Sequence, residues 1–144
     1  MTDPYDLQRF VVAQRHSYDD AVAELRSGRK TTHWMWFVFP QIAGLGHSPT
    51  ARTYAITSLA EARAYLAHPV LGHRLRECTS ILIAPPDGPG RTAEQIFGGI
   101  DAMKLRSSMT LFLHADPGEK VFRQVLDKYF GSAPDPATEE RIFD

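Results

Sequence analysis

The sequence predicts an all-α fold, a single domain of about seven to nine short helices over residues 1–144, and three features carry that expectation. Five residue–proline pairs stand just before helix-like patterns: Asp3-Pro4, Ser48-Pro49, His68-Pro69, Asp116-Pro117 and Asp135-Pro136. Proline fits a first helical turn because the N–H it lacks would have no intrahelical partner, and an Asp or Ser before it can accept from free amides. Capping-box spacings recur at Ser58-Leu59-Ala60-Glu61, Thr92-Ala93-Glu94-Gln95 and, more loosely, Asp116-Pro117-Gly118-Glu119. No stretch shows the alternating β-branched character that a half-buried strand would need.

In chain order, a first helix is expected from Pro4 to Arg15, with Leu7, Phe10, Val11 and Gln14 on its inner face. Ser17 caps a second, with Asp19 and Asp20 in its first turn and Gly28 as its stop, and the two form a hairpin. The run His33-Trp34-Met35-Trp36-Phe37-Val38-Phe39 holds both tryptophans and must sit at the centre of any core, since large aromatics each carry about 150–250 Å² of buriable surface. Lacking a partner strand, it reads as a short buried helix, capped by Thr31 or Thr32 and ended by Pro40. After a loop to His47, helices follow at Pro49–Ile56, Leu59–Ala67 and Pro69–Ile83. On the last of these Leu71, Leu75, Cys78 and Leu82 recur on one face, which makes Cys78 a core thiol. The turn-rich Ala84–Gly90 segment is an exposed excursion. A short helix at Ala93–Phe97 comes next, then one capped by Asp101 that turns Leu105, Met109 and Phe112 inward. Pro117–Phe130 carries a sharp amphipathic stripe, and a terminal helix starts at Pro136.

A formal charge of −1 supplies no electrostatic reason for binding nucleic acid or an anionic membrane. No apolar run approaches the roughly 20 residues that span a bilayer. The N-terminus lacks the basic and apolar regions of a signal peptide, and a lone cysteine suits a reducing compartment, so the cytoplasm is the expected location. No two of the six histidines have helical metal-site spacing and Cys78 lacks a second thiol, so no metal and no cofactor are expected.

Two places can carry chemistry. Around the aromatic run, Trp34, Trp36 and Phe39 offer faces for a planar ring, Gly44 and Gly46 allow close approach to backbone, the Gly44-Leu45-Gly46-His47 loop feeds anion-attracting amides at the next helix N-terminus, and Arg29, Lys30 or Arg52 can neutralise an anion. His33, Gln41 and His47 edge the same stretch, and either imidazole can act as acid or base near neutrality. The bland account makes the aromatics plain core and the glycines a tight turn. On the later helix Lys104, Ser107 and Ser108 share one side and can hydrogen-bond a ligand. Alternatively, Lys104 pairs with Asp101 and the serines bond backbone carbonyls or neighbouring helices. His73 and His114 read as surface groups. Asp20, Glu24 and Glu61 are explained by first-turn and solvated-face roles.

The stretches His33 to Gln41, Gly44-Leu45-Gly46, Ala64 to Leu75, Ile96-Phe97-Gly98 and Lys104 to Phe112 together resemble a bacterial family of unknown function, in which a small mycobacterial protein has a mainly helical structure. The resemblance covers nearly the whole chain. It implies a multihelical single domain and brings no activity and no catalytic residue. Some members bear the label calpastatin, but true calpastatin inhibitory regions are disordered and this sequence is patterned to fold. A more distant similarity to helical families that process ADP-ribose or cleave N-glycosidic bonds is analogy alone, with none of their motifs reproduced. The functional expectation is a small nucleotide-like or ADP-ribose-related ligand, bound or processed between the aromatic run and the two-serine helix. The alternative is a non-enzymatic protein-interaction module, monomeric or homodimeric.

Overall fold

Residues 3–84 and 90–143 are described by the structure, a computed structural model. They form ten helices and no strand: α1 Gln8–Gln14, α2 Tyr18–Ser27, α3 Met35–Val38, α4 Pro49–Thr53, α5 Leu59–Ala67, α6 Leu71–Ile83, α7 Ala93–Phe97, α8 Gly99–Ala115, α9 Lys120–Tyr129 and α10 Pro136–Phe143. The count exceeds the expected seven to nine because α3, α4 and α7 are only four or five residues each. The excursion expected at Ala84–Gly90 falls mostly on residues 85–89, outside the described residues.

The centre of the molecule is α8, which packs against α5, α7, α9 and α10. Leu105, Met109 and Phe112 are fully buried, as their spacing predicts, and so is nearly everything between Ser107 and Leu113. Over that stretch the helix is covered on all sides and needs no polar face, while its N-terminal end leaves the apolar Ile100 and Met103 exposed, which is why α8 carries no sharp stripe. The outer helix α9 shows the opposite: Val121, Phe122, Val125 and Leu126 are buried while Arg123, Gln124, Asp127 and Lys128 face solvent. On α6 the predicted face of Leu71, Leu75, Cys78 and Leu82 is buried, and burial pushes the Cys78 thiol up to about 12.

Several helix starts lie later than the prolines suggest, because the capping carboxylate reaches past the first turn. Asp3 accepts from the amides of Leu7 at 2.8 Å and Gln8 at 3.0 Å, so α1 begins at Gln8. His68 does the same through Nδ1, accepting from Val70 and Leu71, and α6 starts at Leu71. The looser box at Asp116–Glu119 does not form; α9 begins at Lys120 without a side-chain cap. Asp101 is not the cap of α8 but lies in its first turn, ion-paired with Lys30 at 2.9 Å and Lys104 at 3.6 Å. Ser17 occupies the N-cap of α2 without a capping hydrogen bond, whereas Ser48, Ser58 and Thr92 make theirs. Nor do α1 and α2 form a hairpin: α1 packs on α3 and α2 on α6, since the aromatic run offers α1 a larger apolar surface than α2 does.

The aromatic run folds as a helical turn. Trp34, Met35, Phe37, Val38 and Phe39 are buried, while Trp36 remains partly exposed. Thr31 and Thr32 do not cap α3; their amides donate instead to Glu24 at 2.7 and 2.9 Å, joined by the Thr32 hydroxyl at 2.6 Å and the Trp34 indole N–H at 3.0 Å. The capping box at Ser58 forms only by half: the Glu61 amide donates to Ser58 Oγ at 3.1 Å, but the Glu61 carboxylate, expected on a solvated face, is buried, accepting from the Thr57 amide and hydroxyl and pairing with Arg9 at 2.8 Å. Arg9 also donates to the carbonyls of Thr53 and Ala55, which fixes the link between α4 and α5. That link meets the loop after Pro40 in the one β-bridge among the described residues, Ile42 with Ile56: the Ile56 amide donates to Gln41 O and the Ala43 amide to Ile56 O, both at 2.8 Å.

Candidate functional site

A hollow opens beside the bridge of Ile42 with Ile56, and Ile42, Ala43, Ala55 and Thr57 form part of its wall. This cavity, of about 280 Å³, is lined by Trp36, Gln41, Gly44, Gly46, Arg52 and Tyr54, among others. A second, of about 360 Å³, is lined by Leu45, Ile100, Met103, Lys104, Ser107 and Asp135, together with Gln41 and Gly46, which border both. Jointly they reach the 300–1,000 Å³ usual for small-molecule sites. Trp36 and Lys104 meet where the two adjoin, with Lys104 Nζ 4.6 Å from the indole centroid. The tryptophan run and the two-serine helix therefore share a wall.

Among the described residues, the lining of the first cavity carries no carboxylate, and its one charged group is Arg52. The Arg52 guanidinium has no hydrogen-bond or ion-pair partner among the described residues. In the second cavity Lys104 and Arg106 face Asp135, so positive and negative groups are mixed there. Ser107 donates to Met103 O at 3.1 Å and to Asp135 Oδ2 at 3.0 Å, and Asp135 in turn accepts from the Thr138 amide and hydroxyl at the start of α10.

Other candidates lie elsewhere. Trp34 is fully buried against Phe39 and Phe97 and lines neither cavity. Ser108 is also fully buried, with its hydroxyl unpaired, and lines neither. His33 and His47 are exposed and lie outside both linings. His114, expected on the surface, is partly buried because it pairs with Glu139 at 2.8 Å. Lys30 is committed to Asp101 and stacks over Trp34 at 5.0 Å. Among the described residues no group of His, Cys, Asp and Glu could hold a metal ion, and no helix is long and apolar enough to cross a membrane.

A family model described as "Protein of unknown function (DUF1810)" matches residues 4–142. The chain belongs to this family. The crystal structure of the conserved hypothetical protein Rv1873 from Mycobacterium tuberculosis is similar to it, with 51% identity and a TM-score of 0.94 over 99% of each chain. No curated protein matches the sequence. The comparisons thus bring the DUF1810 family a fold without an activity, and chemistry has to be argued from the cavities.

In this DUF1810 chain the structure adds residues that sequence reasoning passed over. Tyr54, Met103, Ile100 and Asp135 line the cavities, and Arg141 on α10 lies against the glycine loop, its Nη2 donating to Gly44 O at 3.2 Å. Local spacing holds no signal for that last contact, which joins positions 97 residues apart. One signal was available for Ile100 and Met103. At 74% and 71% exposed they are the two most exposed large apolar side chains among the described residues, and as neighbours three apart on a helix they interrupt what would otherwise be a polar outer face.

Proposed function

We propose that this DUF1810 protein binds a small, planar, anionic molecule of the nucleotide type, including ADP-ribose derivatives, in the paired cavities. The observation that carries the reading is the partly exposed Trp36 indole, with a cation against it, in a hollow whose only charged lining group among the described residues is an arginine without a partner among them. An aromatic face stacks a planar ring at little conformational cost, and an arginine without a carboxylate is free to take an anion. No histidine lines either cavity, and neither His33 nor His47 is placed as acid or base, so the reading is binding and assigns no reaction.

Nucleotides and ADP-ribose derivatives screened by thermal shift test it. A ligand at 100 times its dissociation constant stabilises by about 2.7 kcal/mol. Stacking on Trp36 should also quench its fluorescence, while buried Trp34 stays constant as an internal reference. Trp36→Ala and Lys104→Ala variants should fold and lose the shift. An unchanged melting temperature across the panel, or shifts indifferent to both substitutions, would remove the proposal.

Exposed Ile100 and Met103 favour a second reading, in which this face meets another copy of the chain. Light scattering that gives a monomer over a wide concentration range eliminates it. A dimer that Met103→Asp dissociates supports it.

A further inference from the structure

We propose that the glycine loop is the seat of a phosphoryl group, gripped between Arg52 from α4 and Arg141 from α10. The idea rests on the paired cavities being a ligand site and adds to it the chemistry of one end of the ligand and a residue from the far end of the chain.

Charge is the first ground. In a chain of net charge −1, the first cavity has Arg52 as its lone charged lining residue among the described residues. Elsewhere three basic side chains are paired with carboxylates, Arg9 with Glu61 at 2.8 Å, Lys30 with Asp101 at 2.9 Å and Arg76 with Glu119 at 3.4 Å, and the partly buried Arg74 is held by Gln14 at 3.3 Å and by the Tyr18 ring. Arg52 has no such partner among the described residues, and Arg141 has only neutral ones, the carbonyls of Ala137 at 3.4 Å and Gly44 at 3.2 Å. Arg52 thus lines the cavity beside the glycine loop and Arg141, which lines neither cavity, lies on the same loop at Gly44, and neither is paired with a carboxylate among the described residues. Arg106 likewise bonds only carbonyls, but Asp135 shares its cavity and offsets it.

Fit is the second. Gly44 adopts φ +98°, and a Cβ there would lie 2.6 Å from Arg141 Nε, so glycine is what lets the guanidinium rest on the loop backbone. The amides of Gly44 and Gly46 have no hydrogen-bond partner among the described residues, and both glycines line the first cavity. A guanidinium presents parallel N–H groups that match phosphoryl oxygens, and a charged acceptor outcompetes a neutral carbonyl for them. On binding, Arg141 exchanges the Gly44 carbonyl for a phosphoryl oxygen, and α10 follows the ligand.

Adenosine, adenosine monophosphate and inorganic pyrophosphate, titrated into wild type, Arg52→Gln, Arg141→Gln and Arg141→Lys, test this directly. Each bond from a charged donor is worth enough that the monophosphate should bind at least about tenfold more tightly than the nucleoside. That advantage and the binding of pyrophosphate should vanish in both glutamine variants, leaving adenosine unaffected. Arg141→Lys should keep part of the advantage, and raised salt should weaken the phosphates alone. Both arginines are exposed, so the variants should fold. If nucleoside and monophosphate bind equally, or Arg141→Gln keeps the difference, the phosphoryl seat is wrong and the nucleotide-type reading survives. If none of the three probes binds, both are wrong.

Discussion

Trp34 and Trp36 stand two positions apart on one helical turn, which places their side chains on nearly opposite sides of it. One becomes core, packed against Phe39 and Phe97 with the Lys30 ammonium over its ring; the other becomes cavity wall. Glu24 sets that turn's orientation by gathering three donors from Thr31 and Thr32 and a fourth from Trp34. Burial alone would raise its pKa, but the bonds from Thr32, Thr31 and Trp34 outweigh it and hold the carboxyl down to about 2, against an ordinary 4.5. Because the folded value lies below the unfolded one, the native state binds fewer protons in between. Stability from Glu24 is therefore complete above about pH 4.5 and drains away as pH falls toward 2. Glu24→Gln should lower the melting temperature at neutral pH, and the gap to wild type should close in acid. Melts of both proteins across that interval check it; a gap independent of pH would mean the charge contributes nothing.

Helices α5 and α6 show what decides whether two elements can meet. Gly72, in the first turn of α6, lies so close to the end of α5 that a Cβ would sit 2.0 Å from Leu66 O, a backbone atom with little freedom to retreat. A Cβ on Gly99, at the start of α8, would meet nothing within 4 Å. Gly72→Ala should cost about 2–3 kcal/mol through overpacking. Gly99→Ala should be neutral or stabilise by about 0.5–1 kcal/mol, since alanine forfeits less backbone entropy in a helix. Urea denaturation of the pair decides it, and equal effects would refute the contrast. At this scale α9 was readable because its polar face meets water. The starts of α1 and α6 were not, because Asp3 and His68 cap across a turn that is not yet helical.

Across the whole molecule one continuous apolar core joins α1 to α9, with Cys78 inside it on α6. A thiol held at about 12 and sealed from solvent reacts only when the chain opens. Labelling of native protein by a thiol reagent should accordingly yield the same opening free energy as urea melts. Labelling that is much faster, with unchanged global stability, would reveal a local opening of α6 instead. The same scale decides the cavities. Trp36, Gln41, Gly44, Gly46, Arg52, Lys104 and Ser107 are all drawn to them, although their sequence positions span residues 36 to 107.

Read alone, the sequence determined the helical class, most of the inward-facing residues and the aromatic centre, because periodicity and capping act over three or four residues and leave their mark locally. Where the chain comes back to itself was settled only in three dimensions. The bridge between Ile42 and Ile56, the shared wall of Trp36 and Lys104, and the contact of Arg141 with Gly44 depend on surfaces that exist only after distant helices have packed.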